Sequence, residues 1–203
     1  MSSRSGKAIR LLALGLLLAP LIVACQAGFA SDELQGLVVD PPQPKPSFVL
    51  TDTGGMPFDF AAETEGKLAL LYFGYTNCPD ICPVHMAQIA EVFDQFPDVA
   101  RNSVVVFVTI DPERDTPEKL RAFLDNFDSR FVGLTGTEEE LGAAQDAANV
   151  PRAVKAGDEA DYTMNHAAWV IAYAPDGLNY SIYPFGIRQS QWSNDLQILA
   201  GMG

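Results

Sequence analysis

The chain has 203 residues, 48% of them apolar, with 13 Lys+Arg against 26 Asp+Glu and a formal charge of −13. That composition suits one well-packed domain with flanking segments and argues against a disordered chain. No basic stripe is available to meet phosphates, which argues against nucleic acid as a partner, while the acidity favours solubility, cationic partners and metal cations.

Arg4, Lys7 and Arg10 precede an apolar run of 13 residues, Leu11 to Val23, which Pro20 interrupts. The run is shorter than the roughly 18–20 residues that span a bilayer and reads as an export signal. Leu21-Ile22-Val23-Ala24-Cys25 resembles a bacterial lipoprotein cleavage box, with Cys25 as the residue that receives lipid. An uncleaved helical anchor is the alternative, and both readings put the remainder outside the cytoplasm on a membrane. Residues 1–24 are therefore expected to be a signal peptide, whose removal leaves a formal charge of −16. Cys78 and Cys82 are then the only other cysteines, a disulfide-capable pair in an oxidising compartment. A purely structural disulfide explains them poorly, because so small a loop removes little unfolded-state entropy.

Gln26 to Pro46 ends in Pro41-Pro42-Gln43-Pro44-Lys45-Pro46 and reads as an extended polyproline tether. The alternative is that part of it packs on the domain as an edge segment. The domain is expected over residues 47–203, beginning with a strand at Phe48–Asp52, a turn at Thr53-Gly54-Gly55 and a second strand near Pro57–Phe60. Lys67–Tyr75 and Ser103–Ile110 are apolar on both faces, as is Ala167–Tyr173, which predicts central strands covered on both sides. Phe131–Leu134 reads as a fourth core strand, and Asn179–Tyr183 as a last one after a turn at Pro175-Asp176-Gly177. Amphipathic spacing predicts helices over Pro83–Phe96, Pro117–Phe127, Glu138–Ala148 and Gln191–Leu199, with Thr116 as the N-cap of the second. Alternating strands and helices imply an α/β domain with a central mixed sheet flanked by helices, preceded by an N-terminal β-hairpin extension.

"GYTNCPDICP", Gly74 to Pro83, thus sits between a central strand and a helix. Cys82 followed by Pro83 reads as N-cap and first helical residue, so backbone N–H groups and the helix dipole favour thiolate. A disulfide, a metal clamp and a nucleophile all remain open from the spacing alone. Asp80 lies between the thiols; its charge is expected to raise their pKa and to favour a bound cation, and helix-entry capping is the bland alternative. Tyr72, Phe73 and Trp169 read as core.

"YFGYTNCPDICP", Tyr72 to Pro83, resembles the signature of the Sco/SenC family. "TIDPERDTPEKL", Thr109 to Leu120, resembles that family's Asp-Pro-x-x-Asp segment, and His166 stands where the family has its copper-binding histidine. Asn165-His166-Ala167 departs from the family's usual Asp-His-Ser. The resemblance, from about Pro41 to the last strand, implies a thioredoxin-like fold and a membrane-tethered copper chaperone. It implies Cys78, Cys82 and His166 as ligands of Cu(I) or Cu(II). It also implies delivery to the CuA-bearing subunit of cytochrome c oxidase, and receipt from a copper donor protein. The alternative function is a thiol–disulfide oxidoreductase that keeps the CuA cysteines reduced, with Cys78–Cys82 as a redox-active disulfide. Asp111 and Asp115 are candidates for shaping the loop around the site, with turn chemistry as the alternative. His85, one helical turn past Cys82, is either an auxiliary ligand or a solvated helix residue. Phe185 and Gly186 are read as a partner-facing loop. The expected location is the extracytoplasmic face of a bacterial cytoplasmic membrane, through a lipid at Cys25.

Overall fold

The computed structural model describes residues 33–158 and 161–202. The expected signal peptide, the lipidated Cys25 and the first part of the tether lie outside the described residues.

Strand β1, Leu37–Pro44, lies in the second half of the segment expected as a tether. It pairs antiparallel with the last strand, so the edge-segment alternative holds here and the polyproline tether is corrected. Prolines are tolerated because an edge strand leaves one row of backbone groups unpaired. The hairpin follows as β2, Val49–Asp52, and β3, Pro57–Asp59. Asp52 closes its turn by accepting from the N–H groups of Gly54 and Met56, both at 2.8 Å.

After a short helix, α1, Phe60–Glu63, the chain enters β4, Leu68–Gly74, in which every residue is buried. A long helix, α2, Ile81–Gln95, and a short one, α3, Pro97–Arg101, lead to β5, Ser103–Thr109. Helix α4, Pro117–Asp125, starts at Thr116, whose side chain caps the Lys119 N–H. It leads into β6, Val132–Thr135, and α5, Glu138–Ala147, which begins with a reciprocal Thr137–Glu140 capping box. A polar hairpin follows, β7, Val154–Asp158, and β8, Asp161–Asn165. The chain closes with β9, Trp169–Tyr173, β10, Leu178–Pro184, and α6, Gln189–Ala200.

Eight strands form one sheet in the order β1-β10-β9-β4-β5-β6-β2-β3, and β7-β8 forms a separate ribbon. The strands with apolar residues on both faces, β4, β5 and β9, lie side by side in the middle of the sheet, as their composition requires. β4 runs parallel to β5 and antiparallel to β9. Those two pairings determine which loops meet at the C-terminal end of β4.

Candidate metal centre

The parallel pairing aligns Gly74 with Thr109, so the segment after β5, carrying Asp111 and Asp115, emerges beside the cysteine loop. The antiparallel pairing aligns Tyr72 with Val170, so the residues just before β9, including His166, arrive at the same end. Side chains far apart in sequence are brought together by sheet register rather than by local spacing. Gly74 belongs to this junction because a Cβ there would lie 2.7 Å from the Tyr72 ring and 2.9 Å from the Phe107 ring. The chain can leave the strand so closely only without a side chain.

Cys78 is half-buried, Cys82 is fully buried, and both are free thiols. The Cys82 N–H lies 3.4 Å from Cys78 Sγ. A hydrogen bond from the Cys82 side chain is the largest influence on the Cys78 thiol, which is drawn down to about 5 although burial opposes the shift. Backbone N–H groups of Cys82, Asp80 and Ile81 act in the same direction. Burial instead pushes the Cys82 thiol well above its ordinary range, and its hydrogen bond with Cys78 adds to this. The Tyr72 hydroxyl donates to Cys82 Sγ at 3.4 Å. Tyr72 is a core residue, as expected, and its hydroxyl contact with the site was not legible in the sequence.

His166 shares a cavity of about 320 Å³ with Cys78. Its ring meets the edges of Tyr75 and Tyr72, with centroids 5.8 and 6.4 Å apart. Burial holds its pKa below the ordinary value, although Nδ1 lies 3.1 Å from the Ala167 carbonyl and the Phe73 carbonyl is also in reach. Among the described residues, no three His, Cys, Asp or Glu side chains are gathered closely enough to hold a metal ion as they stand. The donor chemistry nevertheless suits a soft metal: a half-buried, thiolate-prone sulfur, a second thiol hydrogen-bonded to it, and an imidazole across the cavity.

Helix α2 starts two residues earlier than expected, so Asp80 rather than Cys82 holds the N-cap position. The Asp80 carboxylate makes no capping hydrogen bond. Its backbone N–H is one of the groups that draw the Cys78 thiol toward thiolate. Asp115 is buried behind the loop; it accepts from the Thr76 N–H at 3.0 Å and from the Thr76 and Thr109 hydroxyls at 2.5 and 2.6 Å. Asp111 pairs with Arg114 and accepts from the Tyr162 hydroxyl at 2.7 Å, which ties β8 to the sheet. His85 is not a solvated helix residue. It is fully buried among the rings of Tyr72, Phe185 and Trp192, and burial lowers its pKa to about 4. Phe185 is 53% exposed and Val84 41%, beside this buried histidine.

The SCO1/SenC family model matches residues 39–201. A SCO2-like protein of Rickettsia felis is 36% identical over 132 residues, covering 64% of both chains. The human mitochondrial SCO1 homolog is 36% identical over 115 residues, which cover 55% of this chain and 38% of that one. The match thus spans less than two thirds of the length of these curated relatives. The copper-bound ScoI of Bradyrhizobium japonicum superposes with a TM-score of 0.68 at 32% identity, covering 77% of this chain and 99% of that one. BsSco, described as a member of the Sco family of cytochrome c oxidase assembly proteins with a disulfide switch, matches with a TM-score of 0.62. At 19% identity, over 82% of this chain and 99% of that one, BsSco speaks for the fold alone.

Proposed function

Because the chain belongs to the SCO1/SenC family, we propose that it is a copper chaperone on the extracytoplasmic face of a membrane, with Cys78, Cys82 and His166 holding the metal. Copper is its cargo, and the CuA-bearing subunit of cytochrome c oxidase is the proposed acceptor. The observation that carries this reading is the junction itself. A thiolate-prone Cys78 touches Cys82 at the start of α2 and faces His166 across one cavity. Two sulfurs and an imidazole suit Cu(I), and the imidazole also serves Cu(II). The copper-bound relative at 32% identity supports the choice of metal over zinc. Closing all three donors on one ion requires at least one of these side chains to move from its present position. Release is by exchange of these ligands for those of the acceptor. Cys25 is the proposed lipid anchor, on the strength of its cleavage-box context.

Copper addition to the purified chain tests this. One copper per chain is expected, with sulfur-to-copper charge-transfer absorption for Cu(II), and Cys78→Ser or His166→Ala should abolish tight binding. Tight binding that survives both substitutions overturns the assignment.

A second reading rests on the asymmetry of the thiols. An accessible, acidic Cys78 and a buried Cys82 are arranged as attacking and resolving thiols. Cys78 thiolate would attack an acceptor disulfide and release one acceptor thiolate. Cys82, on losing its proton, would then attack Cys78 Sγ and release the second, leaving a Cys78–Cys82 disulfide and a two-electron-reduced acceptor. Oxidase assembly that survives His166→Ala but not Cys78→Ser would favour this reading.

A further inference from the structure

We propose that the thioether of Met164 is an additional donor toward the cargo metal, beside Cys78, Cys82 and His166; the inference rests on the copper reading above. Along β8 the exposure alternates: Tyr162 and Met164 are buried, Thr163 and Asn165 exposed, and His166 half-buried. Met164 and His166 therefore share one side of the strand and its continuation, two positions apart. Met164 lines the same cavity as Cys78 and His166 while remaining 9% exposed.

Its other side borders a larger cavity of about 580 Å³, beneath the β7–β8 hairpin. A residue that borders two cavities has room beside it, and methionine has three rotatable bonds with which to bring its sulfur forward. The backbone beneath it is anchored. The Tyr162 hydroxyl donates to Asp111, Arg114 Nη1 donates to the Tyr162 carbonyl at 2.9 Å, and the Met164 backbone is hydrogen-bonded to the Tyr75 hydroxyl. A flexible soft donor on an anchored strand suits a site that must take up and release its cargo.

The chemistry fits the cavity. A thioether is soft and neutral, so it supports Cu(I) without adding charge beside two thiolates, and it binds Cu(II) only weakly. An ordinary gap-filling methionine would share the burial but not the contact with metal.

Selenium-edge X-ray absorption on the full chain, labelled with selenomethionine and loaded with one Cu(I), tests this directly. A copper–selenium distance is expected in the unsubstituted chain and should vanish in Met164→Leu, which conserves volume. Cu(I) affinity, read by competition with a chromophoric chelator, should fall in Met164→Leu on the order of tenfold, the low end of what loss of a supporting metal contact costs. Copper–cysteine scattering retained in Met164→Leu shows that the rest of the site still forms. No copper–selenium distance in the unsubstituted chain overturns the Met164 assignment, while loss of binding in Cys78→Ser and His166→Ala keeps the copper reading. Tight Cu(I) binding that survives those two substitutions overturns both.

Discussion

At the scale of single residues, four positions separate two identical thiols that their surroundings drive in opposite directions. Cys78 meets the Cys82 side chain and the first N–H groups of α2, while Cys82 lies in the core against Tyr72. An acid with a lowered pKa stays ionised until the pH falls through its folded value, so Cys78 should remain a thiolate down to about pH 5. Its alkylation by iodoacetamide, followed by mass spectrometry, is expected to be half-maximal near that pH, while Cys82 stays protected at neutral pH until the chain unfolds. Cys82→Ala should move the Cys78 midpoint upward, because it removes the hydrogen bond that matters most. An unchanged midpoint would mean that the helix N–H groups dominate instead. The reactive pair was legible from its place before an amphipathic run. The division of labour was not, because it depends on which sulfur the fold buries.

At the scale of elements, the β7–β8 hairpin is the part least visible in the sequence. β7 is exposed along its whole length, so it offers no alternating apolar face from which a strand could be read. Its attachments are polar: Tyr162 to Asp111, the Arg114 guanidinium 3.6 Å from the Tyr162 ring centroid, and an ion pair from Lys155 to Glu113. The acidic segment after β5, suspected of shaping the site, thus grips two neighbours. Asp115 holds the cysteine loop through Thr76, and Asp111 holds the strand that ends at His166. Tyr162→Phe removes one of these attachments at about 1 kcal/mol. Amide exchange over residues 154–165 should then quicken about fivefold, with β4 unchanged. Equal acceleration in β4 would show that the bond supports the whole domain rather than the hairpin.

At the scale of the whole molecule, the thioredoxin-like sheet closes at one edge with a strand contributed by the expected tether. Asp195, fully buried in α6, accepts from the backbone N–H groups of Gln35 and Gly36 at 2.8–2.9 Å and from the Tyr183 hydroxyl at 3.0 Å. Those contacts run between the first described residues and the last helix. A chain beginning at Lys45 should lose on the order of 3 kcal/mol against one beginning at Glu33, since a buried carboxylate forfeits two charge-assisted bonds. It should also self-associate as β10 becomes an open edge. Urea unfolding and sedimentation velocity read the two effects, and equal stability of the two chains would return residues 33–44 to the role of a spacer.

Local pattern determined a good deal on its own. Continuous apolar runs marked β4, β5 and β9 as interior strands, because only a strand covered on both faces tolerates them. A capping threonine marked the start of α4, and the cysteine block announced its chemistry through residue type and position. Tertiary structure alone decided that a proline-rich stretch is an edge strand, that His85 is buried, and that Met164 borders the cavity of Cys78 and His166. The physical reason is common to all three. A sequence period reports which side of an element is apolar, whereas strand order and register decide what that side meets.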